Sequence, residues 1–171
     1  IHKNFGISND EPFQRSVGYY WYISIIETFS NDTEYIDYLK QKFNSMYWSD
    51  YLNNGNLIQY GILFDTFSAF IEELFNIKND QDAFYLKHLL TFIIFFVSSI
   101  FFYKIIDGRF NNKLFAVLIT FIFISSPRIF AEAFYNCKDI IFMSFCVISL
   151  FFALKNFEYF NYKNLLFFSF F

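Results

Sequence analysis

Cysteine, proline and histidine are scarce, with two of each in 171 residues, and glycine occurs five times. Cys137 and Cys146 are too few for a disulfide framework and lack the spacing of a zinc site. They read as two small apolar residues. The chain has no HExxH, no P-loop, no GxSxG and no dinucleotide fingerprint. Those absences weigh against a metalloprotease, an ATPase and a serine hydrolase of the usual kind. Charged residues make up 17% of the chain and form no basic stripe, so no nucleic-acid partner is expected.

Apolar residues are abundant. The chain is 56% hydrophobic and 26% aromatic, with thirty phenylalanines and a mean hydropathy of +0.31. That is too apolar for an ordinary soluble domain. The excess of Phe, with many Asn, Ile and Lys, fits an AT-rich coding sequence, and no function is attached to it. The sequence starts without Met and stops inside an apolar run at Phe170-Phe171, so it reads as a fragment of a longer chain.

Charge divides the chain. Residues 1–88 carry a net −6 and residues 89–171 a net +3. The basic half is also the apolar half, and its charges fall between three charge-free runs: Leu89–Tyr103, Leu114–Pro127 and Ile140–Leu154. A span needs roughly 20 residues, with end lysines allowed to snorkel. Each run reaches that length with its flanks. The expected fold is all-α, a polytopic transmembrane bundle with helices over 85–106, 113–127 and 139–156 and another starting near 163. Lys104, Arg109 and Lys113 place loop 104–113 in the cytoplasm, together with 155–163. Residues 1–84 and loop 127–139 then face outward.

The first 84 residues read as a long outer loop with amphipathic helices at the membrane surface. Phe13–Phe29 carries the cluster Tyr19-Tyr20-Trp21-Tyr22, residue types that favour the membrane–water boundary. Asn53-Asn54-Gly55-Asn56 signals a turn. Leu57–Phe75 places Asp65, Glu72 and Glu73 among apolar residues. Those charges argue against a span and for a second surface helix.

Three groups could carry chemistry. Asp10-Glu11 lies in "ISNDEPFQR". Ser8-x-x-Glu11 has the form of a capping box and Pro12 suits a first helical turn, so the local sequence favours a cap; a cap is compatible with catalysis, since it fixes a carboxylate in place. Arg128, Glu132, Lys138 and Asp139 crowd a short loop. Asp139 either complements a helix dipole or belongs to a site for a charged ligand beside lipid. Lys87-His88 heads the first span, with snorkelling the plain reading of Lys87 and structural hydrogen bonding that of His88.

The order of these features resembles the membrane glycosyltransferases of the type-C fold, in particular the protein O-mannosyltransferase-like and lipid A aminoarabinose-transferase-like enzymes. An Asp-Glu pair is followed by a basic residue heading a span, a basic turn, a span ending in Ser-Pro and a short loop ending in Asp. "YGILFDTFSAFIEELF", "LKHLLTFIIFFVSSIFFYKIIDGRF" and "SSPRIFAEAFYNCKDIIFMSFCVISLFFAL" are similar to stretches that follow the first outer loop in bacterial members. The resemblance covers the N-terminal part of such an enzyme. It implies inverting transfer of a sugar from a polyprenyl-phosphate donor to a protein, lipid or glycan acceptor, at the periplasmic face of a bacterial inner membrane. It implies Asp10 as general base with Glu11 beside it, and Asp139 orienting the acceptor or a divalent metal, with Asp10 and Asp139 its ligands if one binds. Arg128, Lys138 and His88 are implied, by position, as the groups that bind the lipid phosphate. Some relatives carry Lys-Pro-Pro where this chain has Ile58-Gln59-Tyr60-Gly61, which puts that lysine contact to the lipid phosphate in question. Two other readings remain: a transporter or flippase for lipid-linked sugars, and a structural membrane subunit for which Asp10 and Asp139 are dispensable.

Overall fold

The computed structural model describes residues 6–8, 10–54, 62–158 and 161–170. The described residues form helices and no strand. In order these are α1 (Glu11–Phe29), α2 (Thr33–Asn44), α3 (Ser49–Asn53), α4 (Leu63–Leu74), α5 (Asp80–Phe110), α6 (Lys113–Ser125), α7 (Pro127–Glu132), α8 (Asp139–Glu158) and α9 (Tyr162–Phe170). The expected surface helix over 57–75 is described from Leu63. Its start at 57–61, the Ile58–Gly61 stretch and the Gly55-Asn56 half of the turn lie outside the described residues.

Local chemistry sets the helix ends. Asp32 accepts a hydrogen bond from the Tyr35 amide at 3.1 Å and caps α2. Asn112 does the same for α6 through the Phe115 amide at 3.1 Å. These side chains satisfy amides that a first turn leaves unpaired. Asn76 and Asn111 adopt left-handed φ of 51° and 50°, a conformation Asn tolerates better than most residues. At Asn76 it closes α4: Ile77 N–H donates to Glu72 O and Asn76 N–H to Glu73 O, the paired bonds of a Schellman ending. Pro127 lacks an N–H and stands where α6 gives way to α7.

Two compact units make up the chain, one of Ile7–Lys87 and one built on His88–Phe171. In the first, α1 crosses α4 at Gly18, where a Cβ would stand 2.3 Å from the Asp65 carbonyl oxygen. Val17, Tyr19, Tyr22, Ile23, Leu39 and Phe43 are in the core of this unit, so two members of the Tyr-Trp cluster are core residues. In the second unit the helices meet largely through phenylalanine. Phe95 and Phe102 pack on Phe123, Phe101 on Phe151 and Phe152, and Phe152 on Phe167.

Two helices are long and apolar enough to cross a membrane, α5 and the Asp139–Phe157 stretch of α8. Only 22% of the most apolar window of each is buried, whereas the core helix of a soluble protein would be mostly buried. On α5 the pattern is inverted. His88, Thr91, Ser98 and Ser99 are buried, while Leu89, Ile93, Phe96, Val97 and Ile100 are exposed. Water would favour the opposite arrangement. At 13 residues and about 1.5 Å per residue, α6 falls short of a hydrocarbon core about 30 Å thick.

Candidate functional site

Asp10 and Glu11 open α1 and have different surroundings. Glu11 is fully buried, and its carboxylate accepts the Ser8 N–H at 3.0 Å. The Glu11 N–H in turn donates to the Ser8 carbonyl at 3.2 Å. Glu11 thus reaches back three residues as a capping-box glutamate does, but it is the first residue of α1, whose cap position is Asp10, so the bond anchors the approach to the helix. Asp10 occupies the cap position itself but makes no side-chain capping bond, and it is exposed. The pair thus separates into an anchored carboxylate and a solvent-facing one.

His88, Arg128, Lys138 and Asp139 belong to the other unit. His88 is fully buried in α5. Arg128 donates to Glu132 one turn along α7 at 3.0 Å, with its side chain 85% exposed. Asn136 ties the rest of the loop together. Its amide nitrogen donates to Glu132 at 3.3 Å and to Asp139 at 3.1 Å. Its amide oxygen accepts the Asp139 and Lys138 N–H groups at 2.9 and 3.2 Å. The loop therefore links Arg128 to Asp139 through Glu132 and Asn136. Asp139 sits in the first turn of α8, the helix-dipole position, while remaining exposed together with Lys138. Asp10 and Asp139, the metal ligands the resemblance allows, belong to different units, and no metal is assigned.

Sequence reasoning missed a polar cluster inside the first unit. Arg15 forks onto Glu72 with bonds of 3.0 and 2.7 Å and reaches Asp80 at 2.8 Å. Lys42 pairs with Glu73 at 2.6 Å and Glu72 at 3.0 Å. The Tyr19 hydroxyl donates to Glu72 and Glu73, and the Lys42 ammonium lies 5.0 Å from the Tyr19 ring centroid. Lys87 does not snorkel: it is buried, pairs with Asp65 at 2.8 Å and donates to Gln14 at 3.1 Å.

Burial would raise the Glu72 carboxyl, but the Arg15 guanidinium, with help from Lys42 and Tyr19, holds it below its ordinary value of 4.5. Burial raises the Asp65 carboxyl, with Lys87 pulling the other way. Burial and the two glutamates raise the Tyr19 phenol, so it remains a donor. The signal was present in the sequence. Asp65, Ser68, Ala69 and Glu72 recur at three- and four-residue steps along an otherwise apolar helix, and all four are buried.

Neither the comparison with protein-family models nor those with curated proteins and with solved structures found a match.

Proposed function

We propose that the protein acts in a membrane, within a polytopic helical bundle, as an inverting glycosyltransferase. It takes a sugar from a polyprenyl-phosphate donor and passes it to an acceptor hydroxyl at the outer membrane–water interface. The observation that carries the reading is Asp10, an exposed carboxylate without a capping bond, beside a neighbour anchored by Ser8. A general base needs access to the acceptor's proton, and exposed Asp10 has it. The inverted polarity of α5 supports the membrane setting.

In this mechanism the Asp10 carboxylate accepts the proton of the acceptor hydroxyl. The acceptor oxygen bonds to the anomeric carbon from the face opposite the lipid. The bond between that carbon and the phosphate oxygen breaks, and the lipid phosphate leaves with the electron pair. Its charge needs cationic donors. The cations that the resemblance implies for it are Arg128 and Lys138, which are exposed, and His88, which is buried. Acceptor orientation is the role that the resemblance implies for Asp139, which Asn136 holds through a side-chain hydrogen bond.

The test is sugar transfer from polyprenyl-phosphate donors in membranes containing the protein, comparing wild type with Asp10→Asn at equal expression. A fall of roughly a hundredfold or more is expected for loss of a general base. Unchanged transfer by Asp10→Asn sinks the assignment and moves the search to Asp139. Absence of transfer from any polyprenyl-phosphate sugar by the wild type favours a transporter.

A further inference from the structure

The second unit contains a cationic cavity that the proposed transfer does not use. It measures about 160 Å³ and is lined by Lys104, Gly108 and Arg109 of α5 and by Phe151, Leu154 and Lys155 of α8. One water needs only about 10–15 Å³ of such space, so a phosphate group has ample room. Among the described residues lining it, none is acidic. Gly108 leaves open space where a side chain would stand.

Two further observations concern what the cavity would take. The first is its level along the helices. The charge-free run of α5 ends at Tyr103, directly before Lys104, and that of α8 ends at Leu154, directly before Lys155. Both helices therefore change from apolar to charged at the cavity, with Lys104 and Lys155 the first charges met and Asp107 and Glu158 further along, the depth at which lipid hydrocarbon gives way to headgroups. The second is the wall. The Lys104 ammonium lies 5.4 Å from the Phe101 ring centroid and 5.9 Å from that of Phe151, so aromatic faces hold the charge beside an apolar surface. Arg109 and Lys155 also complement the carbonyl ends of their helices. That role alone requires neither convergence from two helices on one cavity nor an apolar wall.

We infer that this cavity binds a phosphate-bearing anion, with Lys104, Arg109 and Lys155 around the phosphate and Phe151 and Leu154 against the adjoining apolar chain. Basic pockets between membrane helices bind anionic headgroups on this principle. The inference concerns α5 and α8 alone and does not rest on the glycosyltransferase reading.

The experiment measures binding of phosphatidic acid and of phosphatidylcholine to the purified protein in neutral detergent, at fixed salt. Wild type should prefer phosphatidic acid by about tenfold or more. The triple variant Lys104→Gln, Arg109→Gln, Lys155→Gln should lose the preference. The charge-conserving triple Lys104→Arg, Arg109→Lys, Lys155→Arg should keep it. Gly108→Phe, which fills the cavity without changing charge, should lose it too, and melting temperatures report whether each variant folds. Inorganic phosphate at matched ionic strength separates the sources: failure to compete assigns a lipid headgroup, and full competition assigns the free anion to the same site. Equal binding of the two lipids by wild type overturns the inference. So does an undiminished preference in both the folded glutamine triple and Gly108→Phe.

Discussion

Gly18 shows how one residue without a side chain fixes a helix crossing. The Cβ of an alanine there would stand 2.3 Å from the Asp65 carbonyl oxygen, and backbone cannot yield as a flexible side chain can. Gly18→Ala is expected to destabilise the first unit by about 1–3 kcal/mol, the usual cost of overpacking. The gain in helix propensity offsets less than about 1 kcal/mol of that. Denaturant melts of helicity in detergent would measure the difference, and a more stable variant would mean that α1 and α4 sit further apart. Lys87 is a second such position. Lys87→Met leaves the buried Asp65 carboxylate without its partner, at an expected cost of about 3–5 kcal/mol. Adding Asp65→Asn to that variant should recover much of the loss.

At the scale of the element, α4 buries polar side chains that its composition would place in water. It buries Asp65, Ser68 and Glu72 and exposes Leu63, Phe67, Phe70 and Leu74. Arg15 and Glu72 hold α1 to α4 as a bidentate pair, and such charge-assisted forks are among the stronger hydrogen bonds. Glu72→Leu alone should cost about 3–5 kcal/mol, and Arg15→Met with Glu72→Leu much less, because the pair then leaves no stranded charge. Additive costs in that double-mutant cycle would refute the coupling.

The same helix sets the response to pH. Glu72 is held below its ordinary value, so its contribution is fully present above pH 4.5 and is lost as pH falls through its folded value. Asp65 is raised, so its contribution is present below its ordinary 3.8 and is lost as pH rises through its folded value. The two oppose one another. Acid unfolding followed by helicity should therefore become shallower in Glu72→Gln and steeper in Asp65→Asn.

For the whole molecule, the proposed membrane setting predicts a sidedness that chemical labelling reads directly. Under the proposed function, the lysine and arginine bias predicts a cytoplasmic 104–113 loop and an outward-facing first 84 residues. In a background with Cys137 and Cys146 replaced by serine, a cysteine at exposed Asn111 should react with an impermeant maleimide only after the membrane is opened. One at exposed Glu27 should react in sealed, right-side-out cells. Equal labelling of both in sealed cells would reject this topology.

The sequence by itself determined the all-helical class and most of the longer helices. Charge-free runs, apolar stretches and the span-ending Pro127 marked α1, α4, α5, α6, α8 and α9 in advance, whereas α2, α3 and α7 were not anticipated; the caps Asp32 and Asn112 are local signals that were there to be read. It also showed that Ser8 and Glu11 stand at capping-box spacing, since that spacing spans one turn. Tertiary structure decided which faces turn inward. An apolar helix interrupted by acids reads equally as a surface helix with wet charges or as one that buries them, and only the arrival of Arg15, Lys42 and Lys87 from sequence-distant helices makes burial affordable. The same holds for the cavity at Lys104, Arg109 and Lys155: those residues lie as much as 51 positions apart in the chain and meet because phenylalanines pack α5 against α8.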